Sequence, residues 1–306
     1  MLSDYVDYLF SLFPSDAFSH SFNDRQLVIA IDAGNGMGGH TAPAVMSRIN
    51  AEIHGIYFDL DGTFPNHEAN PIDEANLKDL KKMVKKKDAD IGLAFDGDAD
   101  RCFLVDETGT AVNPSLLTAL IAARELKKKP GSAIIYNLIS SRAVREIVEE
   151  NGGKPLRSRV GHSYIKAMMA ESGAIFGGEH SGHFYFSDFW RADSGMLAAL
   201  HAIAALGESQ LTLSELLAPY ARYFASGEIN SKVSDSKAIM AAIKSQYGAK
   251  SGVTTDELDG LTIDGDTWWF NVRASNTEPL LRLNVEAKTQ AQMAALRDEV
   301  LAVIRG

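Results

Sequence analysis

The feature that most constrains the fold is the alternation of short apolar runs with amphipathic stretches between residues 22 and 227. Runs such as "LVIAID", "IGLAF" and "SAIIYNL" have the length of buried strands, whereas intervening stretches such as "NLKDLKKMVKKK" have the length and period of helices. Because strands that alternate with helices at this spacing favour parallel pairing with crossover helices, the sequence predicts an α/β fold here.

The alternation of strands and helices occurs twice and is then followed by a different order of elements. "KKKPG" at 127–131 marks the expected boundary between two α/β domains, whose similar order of elements suggests a structural duplication. From residue 228 the strands follow one another at hairpin-like spacing, which is typical of a smaller α+β domain. The predicted organisation is a helix with linker, two α/β domains and the α+β domain: 1–21, 22–130, 131–227 and 228–306.

Composition excludes several classes of function. A net charge of −10 argues against a nucleic-acid partner, because phosphate backbones require a basic surface. No apolar run is long enough to span a bilayer, and the acidic N-terminus does not resemble a signal peptide. The single cysteine, Cys102, leaves no internal disulfide or Cys-rich zinc site. We therefore expect a soluble, cytoplasmic enzyme without a membrane partner, and the oligomeric state is left open.

Three carboxylates lie at alternate positions, Asp96, Asp98 and Asp100, and repel one another unless a cation lies among them. With Glu107 they nearly complete a calcium loop, but Arg101 stands where the sharp turn requires glycine, and the flanks are strand-like rather than helical. Oxygen ligands without a soft ligand favour Mg²⁺, which keeps positions open for a substrate phosphate. The sequence thus predicts a Mg²⁺ site in a strand-turn-strand.

A second cluster combines cations and hydrogen-bond donors in "RASNTEPLLR", residues 273–282. Such a turn can wrap a phosphate dianion, because arginine gives charge-assisted hydrogen bonds and hydroxyl and amide groups add donors. The alternative is a simple turn or helix cap. The candidate phosphate-binding residues are Arg273, Ser275, Asn276, Thr277 and Arg282.

Two other motifs compete for the function. "GNGMGG" at 34–39 fits the dinucleotide-binding fingerprint, but the acidic residue expected further on is ill placed, and a tight strand-to-helix turn is the alternative. "FDLDGT" at 58–63 resembles the nucleophile motif of haloacid-dehalogenase-type phosphatases, in which Asp59 would attack phosphorus and Asp61 would act as acid and base. This phosphatase is the less favoured alternative, because a strand and a glycine turn precede the motif.

Three segments, "AFDGDADR", "GGEHSGH" and "RASNTEP", occur in an order that resembles the α-D-phosphohexomutases, specifically the bacterial phosphomannomutase/phosphoglucomutase group. "DAGNGMGG", "DGTFPNHEANP" and "VGHSYIK" are similar to further segments of that family. The resemblance implies two successive α/β domains followed by a smaller α+β C-terminal domain, the family's second, third and fourth domains. It also implies a Mg²⁺ cofactor and interconversion of the 1- and 6-phosphates of mannose or glucose through a bisphosphate.

The resemblance further implies roles for individual residues, carried over by motif. The Mg²⁺ ligands would be Asp96, Asp98 and Asp100. Catalytic roles, close to the transferring phosphate or along the cleft near the sugar, would fall to Arg101, His162 and Lys166. The residues at the sugar hydroxyls would be Glu179 and Ser181, with His183 beside them. The phosphate that is not being transferred would be held by Arg273, Ser275, Asn276 and Thr277, with Arg282 nearby.

The resemblance is incomplete, because no "TASHNP"-like phosphoserine segment occurs in the 306 residues. We therefore expect a truncated mutase, inactive by itself, in which the family's first domain is missing. The alternative is a stand-alone sugar-phosphate-binding module without mutase activity. A smaller departure is Ile139, where many relatives carry a lysine, and Arg142 is a candidate to supply that charge. The sequence leaves the preference between mannose and glucose open.

Overall fold

The computed structural model describes residues 1–19, 22–275 and 278–306. The chain folds into two compact units: unit 1 is Met1–Asn137 with Val144–Tyr220, and unit 2 is Leu138–Ala143 with Ala221–Gly306. The elements up to residue 220 are, in chain order, α1 (Leu2–Ser11), β1 (Leu27–Asp32), α2 (Gly38–Met46), β2 (Ala51–Ile56), a 3-10 helix (Glu74–Leu77), α3 (Lys78–Lys87), β3 (Ile91–Phe95), β4 (Cys102–Asp106), α4 (Pro114–Lys128), β5 (Ala133–Asn137), α5 (Arg142–Glu150), β6 (Lys154–Ser158), α6 (His162–Ser172), β7 (Phe176–Gly178), β8 (Phe184–Phe186), β9 (Ala192–Asp193), α7 (Gly195–Ser209), α8 (Leu213–Leu217) and a second 3-10 helix (Ala218–Tyr220). The later elements are β10 (Phe224–Lys232), α9 (Ser236–Tyr247), β11 (Thr254–Asp256), β12 (Leu261–Asp264), β13 (Trp268–Ala274), β14 (Leu280–Ala287) and α10 (Gln290–Arg305).

Unit 1 contains two sheets with the same strand order. In the first sheet, β2-β1-β3-β4, the strand β1 pairs in parallel with β2 and β3, and β4 adds an antiparallel edge. In the second, β6-β5-β7-β8-β9, the strand β5 pairs in parallel with β6 and β7, and two antiparallel strands follow. The predicted α/β class is therefore confirmed, and the first four strands of the two sheets follow the same order, as the suggested duplication would require. The antiparallel strand β4 coincides with the strand-like segment "CFLV" that the sequence placed after the three aspartates.

Two helices, α4 and α7, bring both sheets of unit 1 into one core. Every residue of α7 from Gly195 to Leu206 is buried, because small and apolar side chains cover its whole circumference. Leu200 of α7 lies in the same apolar cluster as Leu104 of β4 and Phe176 of β7. The loops at the ends of these strands are consequently carried by a shared, closely packed interior.

The N-terminal segment packs into the same cluster through Val6, Leu9 and Phe13. Among the described residues, no single helix is long and apolar enough to cross a membrane. Only α7 taken together with the bent continuation Leu213–Tyr220 reaches that length and composition.

Unit 2 is built on one antiparallel sheet of order β10-β14-β13-β12-β11, which confirms the predicted α+β class. Its core joins Phe270 and Leu283 of the sheet with Tyr247 of α9 and Val300 of α10. The short edge strand β11 was missing from the sequence prediction, because "TTD" shows no alternation of apolar and polar residues.

Arg142 belongs to unit 2 by its contacts. Its guanidinium pairs with the carboxylate of Asp264 and donates to the carbonyl of Gly265 over 2.8 Å. Its backbone N–H donates to the carboxylate of Glu286 over 2.9 Å. The charge of Arg142 therefore stabilises the turn between β12 and β13, so the suggestion that it supplies a missing lysine charge is not supported.

We expect Leu200→Ala to lower the free energy of unfolding by about 2–5 kcal/mol, because it leaves a cavity in the shared core. Leu60→Ala makes the same change at a side chain that is 56% exposed. This control is expected to cost no more than about 0.5 kcal/mol. Urea unfolding followed by far-ultraviolet circular dichroism compares the two variants, and equal midpoint shifts would contradict a core centred on α7.

Candidate functional site

The polar residues that the sequence singled out in unit 1 lie on two adjoining loops. The aspartate loop, residues 96–101, connects β3 to β4, and the Glu179 loop, residues 177–183, connects β7 to β8. The backbones of Arg101 and His183 form an antiparallel bridge between them. Residues that are far apart in sequence are thereby placed side by side.

A glycine makes this close approach possible. The carbonyl of Gly182 accepts a hydrogen bond from the N–H of Cys102 over 3.1 Å. Gly182 has a φ of +84°, and a Cβ there would lie 2.3 Å from the ring of Phe103. Any larger residue would be strained in its backbone and would also collide with the ring of Phe103 in β4.

The three aspartates converge in the aspartate loop, where one oxygen from each of Asp96, Asp98 and Asp100 lies within 4.8 Å of the others. Arg101 neutralises one of them, since its Nε donates to Asp96 over 2.6 Å and its backbone N–H donates to the same carboxylate over 3.1 Å. Burial, together with repulsion from Asp96, Asp98 and Asp193, raises the pKa of Asp100 to about 7.

One oxygen of Asp100 is buried and accepts no hydrogen bond within the described residues, and Nε2 of His183 lies 3.4 Å away from it. A cation among the three carboxylates would satisfy this oxygen and remove the mutual repulsion. An all-oxygen donor set suits a hard divalent cation such as Mg²⁺. The residues present therefore fit a divalent metal.

The cavity beside the aspartate loop has a volume of about 520 Å³. Asn70, which the sequence did not indicate, lies on its wall, and its side-chain oxygen accepts from the guanidinium of Arg101 over 3.2 Å. Arg101 is thus held by Asn70 on one side and by Asp96 on the other, with its remaining donors available. The lining residues are Phe64, Glu68, Ala69, Asn70, Asp96, Gly97, Asp98 and Arg101.

The glycine-rich turn at 34–39 supports the aspartate loop. The N–H of Met37 donates to the carbonyl of Gly97 over 2.9 Å. A Cβ on Gly36 would lie 2.5 Å from that same carbonyl oxygen. Packing against the aspartate loop therefore accounts for the glycine, in agreement with the tight-turn interpretation and without a dinucleotide.

The phosphatase alternative receives no support from the geometry of "FDLDGT". Asp59 and Asp61 are both exposed, and Asp61 accepts hydrogen bonds from the backbone N–H and the hydroxyl of Thr63. These hydrogen bonds hold the pKa of Asp61 below its usual value. A general acid that works near neutral pH requires a raised pKa instead.

Glu179 is buried and is oriented by three donors. One oxygen accepts from the Tyr185 hydroxyl over 2.7 Å, and the other accepts from the N–H of Gly161 over 3.0 Å and the amide of Asn137 over 3.4 Å. Burial and the neighbouring Glu179 raise the pKa of Tyr185, so its hydroxyl stays protonated. Tyr185 was missed, although the alternation of a strand places it on the same face as His183.

His183 lies between the two loops. Its Nδ1 is 2.9 Å from the hydroxyl of Ser181, and its Nε2 is 3.4 Å from Asp100. Burial lowers the pKa of His183 below its usual value, although nearby carboxylates oppose this effect. His183 therefore joins the Glu179 loop to the carboxylates of the aspartate loop.

The two predicted catalytic residues of α6 have different surroundings. Lys166 pairs with Asp193 at 2.8 Å, close to His183. His162 is exposed at the first position of α6, directly after the glycine that donates to Glu179. Asp193 was not indicated by the sequence, because only the pairing of β9 with β8 brings it here.

In unit 2, Arg273 of β13 and Arg282 of β14 are directly opposite each other in the sheet. Glu228 of β10 compensates their repulsion, at 3.1 Å from Arg273 and 3.5 Å from Arg282. The Nε atoms of both arginines are buried without a hydrogen-bond partner in the part of the chain that the structure describes. Paired guanidiniums with unused donors suit a dianionic phosphate.

The remaining predicted phosphate-binding residues follow β13. Ser275 comes directly after this strand, and its backbone N–H donates to the carbonyl of Leu280 over 2.9 Å. Asn276 and Thr277 lie outside the described residues.

Known proteins match this chain along most of its length. The family description "Phosphoglucomutase/phosphomannomutase, alpha/beta/alpha domain II" matches residues 3–109, domain III of the same family matches 113–223, and its C-terminal domain matches 228–303. A phosphomannomutase of Methanocaldococcus jannaschii is 41% identical over 278 residues, which are 90% of this chain and 61% of that protein. A phosphomannomutase of Escherichia coli is 37% identical, with coverage of 100% and 67%.

Among solved structures, a phosphoglucomutase/phosphomannomutase family protein from Burkholderia thailandensis is similar, with a TM-score of 0.85 and 30% identity. The match covers 99% of this chain and 64% of that one. The chain therefore belongs to the phosphoglucomutase/phosphomannomutase family. It spans between 61% and 67% of the length of these three relatives.

The pKa of Asp100 predicts how metal binding varies with pH. In the metal-free chain the pKa is raised from 3.8 to about 7, so the folded state holds a proton that the unfolded state has released. This group therefore destabilises the fold progressively as the pH rises through that interval. Because a divalent cation competes with the proton, the increase in Tm caused by Mg²⁺ should grow from about pH 5.5 to about pH 8.

Differential scanning fluorimetry with and without MgCl₂ measures this increase. Asp100→Asn should abolish it, whereas Asp16→Asn, at an exposed aspartate of the same unit, should leave it unchanged. An increase in Tm that is independent of pH in the unsubstituted chain would contradict the assignment.

Proposed function

We propose that this chain binds hexose phosphates of the mannose or glucose type and takes part in the interconversion of their 1- and 6-phosphates. The observation that carries the proposal is the bridge between Arg101 and His183, which joins a three-carboxylate metal loop to a sugar-binding loop. Membership of the phosphoglucomutase/phosphomannomutase family supports the same reaction. The proposed reaction is that of an intramolecular phosphotransferase of carbohydrate metabolism. A cytoplasmic location for the protein stays a prediction.

Phosphoryl transfer depends mainly on positioning and on neutralisation of charge. Asp96, Asp98 and Asp100 would hold Mg²⁺, which when bound supplies positive charge beside the transferring phosphate. Arg101, fixed by Asp96 and Asn70, would offer its remaining guanidinium donors to the same phosphate.

The sugar would be recognised through hydrogen bonds from the Glu179 loop. Three donors orient the Glu179 carboxylate, so its remaining lone pairs can accept from sugar hydroxyl groups. Ser181 can donate or accept, and His183 and Lys166 can exchange protons with, or donate to, substrate oxygens. His162 is proposed at the edge of this site, where its exposure leaves the imidazole accessible.

In unit 2 we propose that the phosphate that is not being transferred binds to Arg273 and Arg282. The two buried Nε–H groups and the counter-charge of Glu228 support this assignment. Ser275, Asn276 and Thr277 are proposed as additional donors to this phosphate.

The reaction also requires a phosphoryl carrier. The 306 residues include no segment like the phosphoserine loop that the family resemblance leads us to expect. We therefore propose that turnover needs a phosphoserine from outside these residues, and that binding does not. A stand-alone sugar-phosphate-binding module is the second candidate, and it differs from a mutase fragment by the absence of a "TASHNP"-like segment in the upstream gene sequence.

We expect the 306-residue chain alone to give no appreciable conversion of glucose 1-phosphate, because it lacks the phosphoryl carrier. A coupled assay that detects glucose 6-phosphate measures the rate, with an intact relative as the positive control. Conversion at a rate typical of the intact relative would contradict the proposal. The same assay repeated with a separately produced first domain of a relative tests whether turnover can be restored.

Hexose phosphate binding should persist in the chain alone. In isothermal titration calorimetry with mannose 1-phosphate and mannose 6-phosphate, Arg282→Ala is expected to weaken binding by about tenfold or more, because a charge-assisted contact is lost. Arg145→Ala removes an arginine that is 59% exposed on α5 and should leave the affinity unchanged. A folded chain that shows no heat with either sugar phosphate would overturn the proposed function.

A further inference from the structure

Asp193 occupies a fixed position in unit 1. It ends β9 and is paired in register with Tyr185 of β8. The next residue, Ser194, caps α7, since its hydroxyl oxygen accepts from the N–H of Leu197 over 3.1 Å. The side chain of Asp193 is only 9% exposed. The carboxylate is therefore held by a strand on one side and a buried helix on the other.

The two oxygens of Asp193 face two different side chains. One oxygen lies 2.8 Å from Nζ of Lys166, and the other lies 3.9 Å from Nε2 of His183. Lys166 comes from α6, whereas His183 comes from the Glu179 loop. Asp193 thus pairs with Lys166 and lies near His183, the two residues for which a role in proton exchange or substrate binding is proposed.

Other side chains surround Lys166 and His183 closely. The ring of Tyr185 lies 5.8 Å from Nζ of Lys166 and 6.2 Å from the His183 ring. Ser181 and Asp100 contact the two nitrogens of His183 at 2.9 Å and 3.4 Å.

The atoms of Asp100, His183 and Asp193 also lie close enough to hold a cation. Because the ammonium of Lys166 already contacts Asp193, it provides the positive charge that a buried carboxylate requires. A metal ion bound by Asp100, His183 and Asp193 would have to displace the ammonium of Lys166.

A lysine side chain is long and flexible, so an unrestrained ammonium loses much conformational freedom when it binds a substrate. A buried carboxylate on a rigid strand restricts the ammonium before the substrate arrives. We propose that Asp193 is a positioning residue that holds the Lys166 ammonium in place for the hexose phosphate. This inference rests on the proposed function, which assigns Lys166 and His183 to the substrate.

The central experiment compares Asp193→Asn with Asp188→Asn. Asp188 is a matched control, because it also pairs with a lysine, Lys129 at 2.9 Å, but both side chains are about half exposed. In calorimetry with mannose 1-phosphate and Mg²⁺, Asp193→Asn should weaken binding about tenfold, and Asp188→Asn should not.

A double-mutant cycle separates positioning from a merely structural role. If Asp193 acts through Lys166, the loss caused by Asp193→Asn should fall to about twofold or less in a Lys166→Met background. An undiminished loss in the Lys166→Met background would overturn the inference. Unchanged affinity of Asp193→Asn would do the same.

A second measurement needs no substrate. The rate at which an amine-reactive acetylating reagent modifies Lys166, followed by mass spectrometry, should rise several-fold in Asp193→Asn and not in Asp188→Asn. An unchanged rate would overturn the contact between Asp193 and Lys166. If Asp193→Asn does not fold, Asp193→Glu keeps the charge but moves it by one methylene, and unchanged affinity in this variant would count against positioning.

The two proposals fail in different ways. If the unsubstituted chain binds neither mannose 1-phosphate nor mannose 6-phosphate, the proposed function is wrong and the role inferred for Asp193 falls with it. If the unsubstituted chain binds and Asp193→Asn binds equally well, only the role of Asp193 is wrong.

Discussion

The backbone bridge between Arg101 and His183 is the interaction on which the candidate site of unit 1 depends. Each of the two loops follows a strand of a different sheet, and neither loop alone contains both the three aspartates and the Glu179 and His183 side chains. The bridge, with Gly182 beside it, brings the two loops into contact, and the carboxylate of Asp100 therefore lies 3.4 Å from Nε2 of His183. Without this contact the two loops would be separate polar turns, and their side chains would not form one site.

The bridge is rigid because both sheets share one core through α4 and α7. The same helix α7 begins at the Ser194 cap, one residue after Asp193, so the packing of the core also fixes a carboxylate of the site. Close packing transmits position with little freedom, whereas isolated loops would carry the cost of ordering at each binding event. The packing of the core therefore also fixes the positions of residues in the candidate site.

The candidate site residues of each unit carry an excess of charge of one sign. In unit 1, the carboxylates of the aspartate loop outnumber the nearby cations, and burial together with this repulsion raises the pKa of Asp100 to about 7. In unit 2 the imbalance is reversed, because among the described residues Arg273 and Arg282 share Glu228 as their carboxylate partner. A divalent cation and a phosphate dianion are the ligands that would balance these opposite excesses.

The sequence alone determined the features that depend on short separations along the chain. Apolar alternation predicted both α/β sheets, and the cluster of Asp96, Asp98 and Asp100 was recognisable because carboxylates two residues apart can converge within one turn. Only the tertiary structure identified Asn70, Tyr185, Asp193 and Glu228, whose partners come from other strands or loops. The physical reason is that strand pairing and core packing, rather than spacing along the chain, decide which distant side chains meet.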